Sequence, residues 1–107
     1  MSLLKSVGGG FQMTFGNGIT VSVMFRPGSY CERGRDAFGK DLEEIEENGH
    51  YKSSDAEIAI WQGETWLDFG GDTVMGYLSA DEVAGWITRA STAKDIQALQ
   101  AEVSEAA

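Results

Sequence analysis

Between residues 11 and 25 the chain alternates apolar and polar side chains. Phe11, Met13 and Phe15 interleave with Gln12 and Thr14, and Ile19, Val21, Val23 and Phe25 interleave with Thr20, Ser22 and Met24. A period of two places one set of side chains on a single face of a strand. Gly16-Asn17-Gly18 separates the two runs. Asn-Gly is the favoured pair of a type I′ turn, which needs positive φ at both central residues, so the segment predicts a β-hairpin. Arg26-Pro27-Gly28-Ser29 ends its second strand, because proline presets a turn and lacks a ladder donor.

A second alternation begins at Ala56. Ala56, Ile58 and Ile60 interleave with Glu57, Ala59 and Trp61; Gln62-Gly63-Glu64 turns the chain; Thr65, Leu67 and Phe69 interleave with Trp66 and Asp68. This predicts a second hairpin. Trp61 and Trp66 fall on its polar phase, where they can pair across the sheet. Two tryptophans on a nominally exposed face imply that something covers it. Gly70-Gly71-Asp72 breaks the strand, and Val74 to Leu78 reads as a short extended piece.

Helical spacing takes over near the C-terminus. Ser79-Ala80-Asp81-Glu82 is a capping box, in which the Ser hydroxyl and the Glu carboxylate satisfy the first unpaired amides reciprocally. Val83, Trp86, Ile87 and Ala90 mark one face of a helix reaching about Arg89. Thr92 with Asp95 opens a second helical stretch with a thin stripe at Ile96, Leu99 and Val103. That stripe either frays or needs a partner to bury it.

The order hairpin, irregular segment, hairpin, helices predicts an α+β domain: an antiparallel sheet of two β-hairpins with one or two C-terminal helices packed on one face. The expected divisions are a flexible leader over 1–10, a single domain over 11–90 and a C-terminal helical extension over 91–107. At 107 residues with 42% hydrophobic content, one core is the default. No apolar stretch approaches the roughly 20 residues of a membrane helix, and the first ten residues lack the apolar region of a signal peptide. A cytoplasmic location is the expectation.

Charge alters the picture most between the hairpins. Residues 29–54 lack a clean period, and Asp41, Glu43, Glu44, Glu46 and Glu47 crowd a segment where Phe38, Leu42 and Ile45 allow a short helix. Across the chain 17 acidic side chains face 8 basic ones, a formal charge of −9. Nucleic-acid binding depends on clustered Lys and Arg, so direct contact with phosphate backbones is not expected. Basic protein surfaces are favoured instead.

Candidate chemistry is sparse. One cysteine, Cys31, excludes an internal disulfide, and with one histidine, His50, a Cys/His zinc site has too few ligands. Arg33 and Arg35 stand near enough in sequence to activate Cys31, with His50 as the only histidine base; a small buried thiol is the plainer reading. Asp68 and Asp72 flank Gly70-Gly71 as either a small acidic site or a turn with self-bonded side chains. Gly8-Gly9-Gly10 has neither a preceding strand nor a following Gly-Lys-Ser/Thr, which leaves it outside the phosphate-loop pattern. No enzyme and no cofactor is expected.

The run from Met13 to Cys31, with Asn17-Gly18, Thr20-Val21-Ser22-Val23, Phe25, Pro27-Gly28 and Tyr30-Cys31, resembles a family of small uncharacterised bacteriophage and prophage proteins. So do Asp55-Ala56-Glu57-Ile58, Gly71-Asp72-Thr73-Val74 and Ser79-Ala80-Asp81-Glu82. The likeness spans about residues 13–90. Arg26 stands where a glycine is expected, and the acidic insert and C-terminal tail are longer. The resemblance implies a phage origin and carries no function.

Three roles follow as expectations. The first is a phage-type accessory protein that binds and modulates a host protein or complex, such as a defence system, through Asp41, Glu43, Glu44, Glu46, Glu47, Trp61 and Trp66. The second is a nucleotide-type small-ligand binder using Tyr30, Arg33 and Arg35, in the 26–40 loop or between subunits. The third is a virion or assembly component. In each, residues 92–107 offer a contact for homo-oligomers.

Overall fold

The computed structural model describes residues 2–25 and 53–106. Among these, six strands form one antiparallel sheet: β1 (Leu3–Val7), β2 (Gly10–Thr14), β3 (Thr20–Met24), β4 (Ala56–Gln62), β5 (Thr65–Trp66) and β6 (Met75–Leu78). Two helices follow, α1 (Ala80–Thr92) and α2 (Ile96–Ala106). The spatial order is β1-β2-β3-β4-β5, with β6 also pairing to β4. The chain is therefore α+β, as its periodicities predict.

Alternation decides which face is buried. Val21 faces Ile60 and Val23 faces Ile58 across the β3–β4 ladder. With Ile19, Ala56, Leu67 and Leu78 they form the core, which Val83 and Ala90 of α1 and Ile96 and Leu99 of α2 close from above. Burying the valine, isoleucine and leucine side chains among them contributes roughly 1.5–3 kcal/mol each. The opposite phase, Thr20, Ser22, Ala59 and Trp61, points away from both helices.

Residues 3–10 are a strand and its turn, where a flexible leader is expected over 1–10. β1 pairs along its whole length with β2, from Leu3↔Thr14 to Val7↔Gly10, around a two-residue Gly8-Gly9 loop with Gly9 at φ 82°. A Cβ at Gly10 would run into the carbonyl oxygen of Val23 and the side chain of Met24, so glycine is what lets β2 approach β3 there.

The Asn17-Gly18 turn also departs from the type I′ expectation. Only Gly18 has positive φ, 88°, while Gly18 N–H donates to the Phe15 carbonyl and Phe15 N–H to that of Ile19. This is a three-residue loop with glycine at the left-handed position. The reason lies far along the chain. The Asn17 side-chain amide donates to the carbonyls of Ala90 and Ala93, 2.8 Å each, at the C-terminal end of α1, and its oxygen accepts from Ile19 N–H at 2.9 Å. Helix ends leave carbonyls without intrahelical partners; Asn17 supplies them from the sheet. Gln62 extends the network, donating to Asn17 O and accepting from Ile96 N–H, both at 2.9 Å. One loop thus ties the sheet to the end of α1 and the start of α2.

The second hairpin is shorter than its alternation predicts. Gly63, at φ 61°, turns β4 into β5, but regular pairing stops after Trp66, and Leu67 N–H makes one further bond to the Ile60 carbonyl. At Asp68 the Gln100 side chain takes over. Its oxygen accepts from Asp68 N–H at 2.8 Å and its amide donates to Asp68 O at 2.9 Å, as a neighbouring strand would. The extended piece near Val74 is β6, which meets β4 through a bulge: Ala56 pairs with Leu78 and Ile58 with Met75. Tyr77 sits in this irregularity at φ 58°, a left-handed conformation that is costly for a bulky side chain.

The Ser79–Glu82 capping box forms in both directions, at 3.2 and 3.1 Å. α1 runs to Thr92, and Asp95 begins α2 by accepting from Ala98 N–H at 2.8 Å. The stripe of Ile96, Leu99 and Val103 turns inward onto this chain's own core, so α2 packs as part of the domain rather than as an extension.

Candidate functional site

Across the face opposite the helices, ladder partners line up in one row: Leu3, Thr14, Thr20, Trp61, Trp66. The threonine hydroxyls of Thr14 and Thr20 bond to each other at 2.8 Å. Trp61 and Trp66 occupy opposed positions on β4 and β5, and their rings stack at 4.6 Å between centroids and 28° between planes. Such a pair is worth about 0.5–1.5 kcal/mol beyond the area it buries. Even so, Trp66 remains 45% exposed. Glu57 shares this phase of β4, and Glu64 lies in the turn between the two rings. The result is a half-exposed aromatic pair beside Glu64, on a face that no described helix covers although Thr20 and Ser22 within it are buried.

The third tryptophan is used differently. Trp86 packs edge-on against Phe69 at 5.1 Å, and the Arg89 guanidinium lies 4.4 Å from its ring centroid. It braces α1 against the loop after β5.

A cleft of about 480 Å³ opens between the sheet and α1, walled by Phe11, Val23, Phe25, Leu78, Val83 and Ile87. Ser53, Ser54 and Asp55 form its polar end. No lysine or arginine is among its described lining residues.

Asp68 and Asp72 do not converge into a site. The Asp68 carboxylate accepts from Gly70 N–H at 3.0 Å and Gly71 N–H at 2.6 Å, and that of Asp72 accepts from Val74 N–H at 3.0 Å. These are turns held by their own side chains. The amides of Gly70 and then Gly71 hold the Asp68 carboxyl below its ordinary value of 3.8. A lowered folded value means the charged form supports the loop above 3.8, and that support is lost as pH falls through the lowered value. In an NMR titration the Gly70 and Gly71 amide shifts will move together with a midpoint below 3.8. A midpoint at or above it contradicts these bonds.

Of the residues singled out by sequence, Trp61 and Trp66 come together. Tyr30, Arg33, Arg35, Asp41, Glu43, Glu44, Glu46 and Glu47 lie outside the described residues, as do Cys31 and His50. Among the described residues no group of three or more His, Cys, Asp or Glu side chains is placed to hold a metal ion, and no described helix is long and apolar enough to cross a membrane. No family model, curated protein or solved structure matches this chain. Its function must therefore be argued from the tryptophan pair and the cleft alone. No spacing in the chain marks this cleft: Phe11, Phe25 and Ile87 sit at ordinary core positions, and only the mutual placement of sheet and helix leaves space between them.

Proposed function

We propose that this chain is a non-enzymatic, phage-type accessory protein that binds and modulates a host protein or complex, with Trp66 stacked on Trp61 as its anchor. Inhibition of a defence system in the host cytoplasm is the finer form of the same reading. The observation that carries it is the large exposed aromatic on a pre-stacked ring. Buried aromatic anchors dominate interface energetics, and stacking on Trp61 limits the rotamer freedom Trp66 has left to lose on binding. Glu64 in the adjoining turn, within a chain of net charge −9, favours a basic partner surface and speeds its encounter. The acidic run Asp41 to Glu47 adds to this field by sequence. Trp66→Ala will weaken binding to the partner about thirtyfold, some 2 kcal/mol, measured by titration against the protein that co-purifies from a bacterial host. An unchanged affinity removes the tryptophan pair from the interface.

A second reading rests on the cleft. Its volume suits a small ligand, and its walls select an apolar body over a phosphate. This reading takes a hydrophobic molecule with its polar end near Ser53 to Asp55; the nucleotide site expected at Tyr30, Arg33 and Arg35 lies outside the described residues.

A further inference from the structure

The two edges of the sheet are built differently. On one side β4 is flanked by the short β5 and the bulged β6, features that blunt an edge against further pairing. On the other, β1 runs five residues without proline or bulge, and Lys5 is its one charge. Leu4, at 76%, is the most exposed large hydrophobic residue described, and Leu3 follows at 57%. The ladder parity shows which groups β1 offers. Phe25 N–H donates to the Gly9 carbonyl, which makes Gly10 and Met24 a non-hydrogen-bonded pair. Gly10 therefore turns its own N–H and C=O toward Val7, and by alternation Leu4 and Ser6 direct theirs to the open side.

We propose that β1 is a self-association edge, at which a second copy of this chain adds its own β1 antiparallel to continue the sheet. Charge distribution selects this occupant and place. Residues 2–25 carry one lysine and no Asp or Glu, although the whole chain has 17 acids. Along β1 and its neighbours β2 and β3 an incoming strand therefore meets no carboxylate of those strands. Lys5 and Leu4 together set the register: Lys5 disfavours an axis at its own position, and of the two outward residues, Leu4 and Ser6, only Leu4 has a large exposed apolar side chain to bury at the axis. A two-fold axis at Lys5 would set like charges face to face, which is unfavourable. An axis at Leu4 pairs Leu4 with Leu4 of the second copy through both outward backbone groups, and sets Leu3 against Lys5. The incoming Leu4 then lies beside the shallow depression of about 350 Å³ bordered by Leu3, Leu4, Met13 and Phe15.

Sedimentation equilibrium of the full chain across a wide concentration range tests this. The expected species has twice the 11.6 kDa chain mass at high concentration. Leu4→Pro removes only an outward N–H, leaves the β1–β2 ladder paired, and will abolish the dimer. Leu4→Lys places two like charges at the axis and will do the same, which decides the matter if the proline variant fails to fold. Trp66→Ala will leave the dimer intact, separating this edge from the tryptophan contact. A wild-type chain that stays monomeric throughout overturns the proposal. So does a Leu4→Lys dimer as tight as the wild type, or a dimer that Trp66→Ala abolishes.

Discussion

Asn17→Ala will lower the stability of this domain by about 2–3 kcal/mol, read as a fall in the urea midpoint at unchanged slope. The side chain makes three hydrogen bonds, two to carbonyls at the end of α1 and one from Ile19 N–H. Deleting it removes the bonds it makes to these part-buried backbone groups, two of them carbonyls at a helix end. Gln62→Ala will cost a similar amount through Asn17 O and Ile96 N–H. The two losses will not add, because both act on one connected network. Asn17→Asp distinguishes hydrogen bonding from mere shape. It keeps the acceptor for Ile19 but turns an anionic oxygen toward two carbonyls, and so will destabilise at least as much as alanine at neutral pH. A change within 0.5 kcal/mol for Asn17→Ala would show that the loop does not hold the helices.

The second large effect concerns α2. Leu99 is fully buried among strand and helix side chains. Leu99→Ala will cost roughly 3 kcal/mol, from lost burial plus the cavity left behind. The loss will be global, with far-UV dichroism and tryptophan fluorescence unfolding together at a lower midpoint. If α2 were a fraying extension, dichroism would fall before the fluorescence transition, and that transition would stay at its wild-type midpoint.

These two residues also mark where sequence patterning stops being informative. The β2–β3 hairpin was legible because Phe11 to Phe25 alternate with one face buried. β1 was not: Leu3 and Leu4 are adjacent, both exposed, and an edge strand bare on both sides has no period to detect. Its glycine run read as a leader and is a hairpin loop. Asn17-Gly18 announced a turn correctly, but the turn type followed from partners more than seventy residues away, which local propensity cannot encode. The alternation at Thr65, Leu67 and Phe69 predicted a longer β5; Gln100 cut it short by acting as its neighbour.

For the candidate site the balance is similar. The Trp61–Trp66 pair was readable because both fall on the polar phase of their strands; the turn that sets them opposite is Gly63-Glu64, one residue shorter than the expected Gln62-Gly63-Glu64, since Gln62 still pairs with Thr65. That the helices gather on the other face, leaving Trp66 exposed, depends on how α1 and α2 pack, and no spacing within the strands reports that. The stripe on α2 was visible as a stripe. Its destination in the chain's own core was not.

The binding reading is tested most directly by placing a photo-crosslinking benzoyl-phenylalanine at position 66 in a bacterial host, with position 97 on the exposed side of α2 as the control. The account predicts one host protein joined from position 66 and none from position 97. Equal labelling from both positions, or none from position 66, would contradict it.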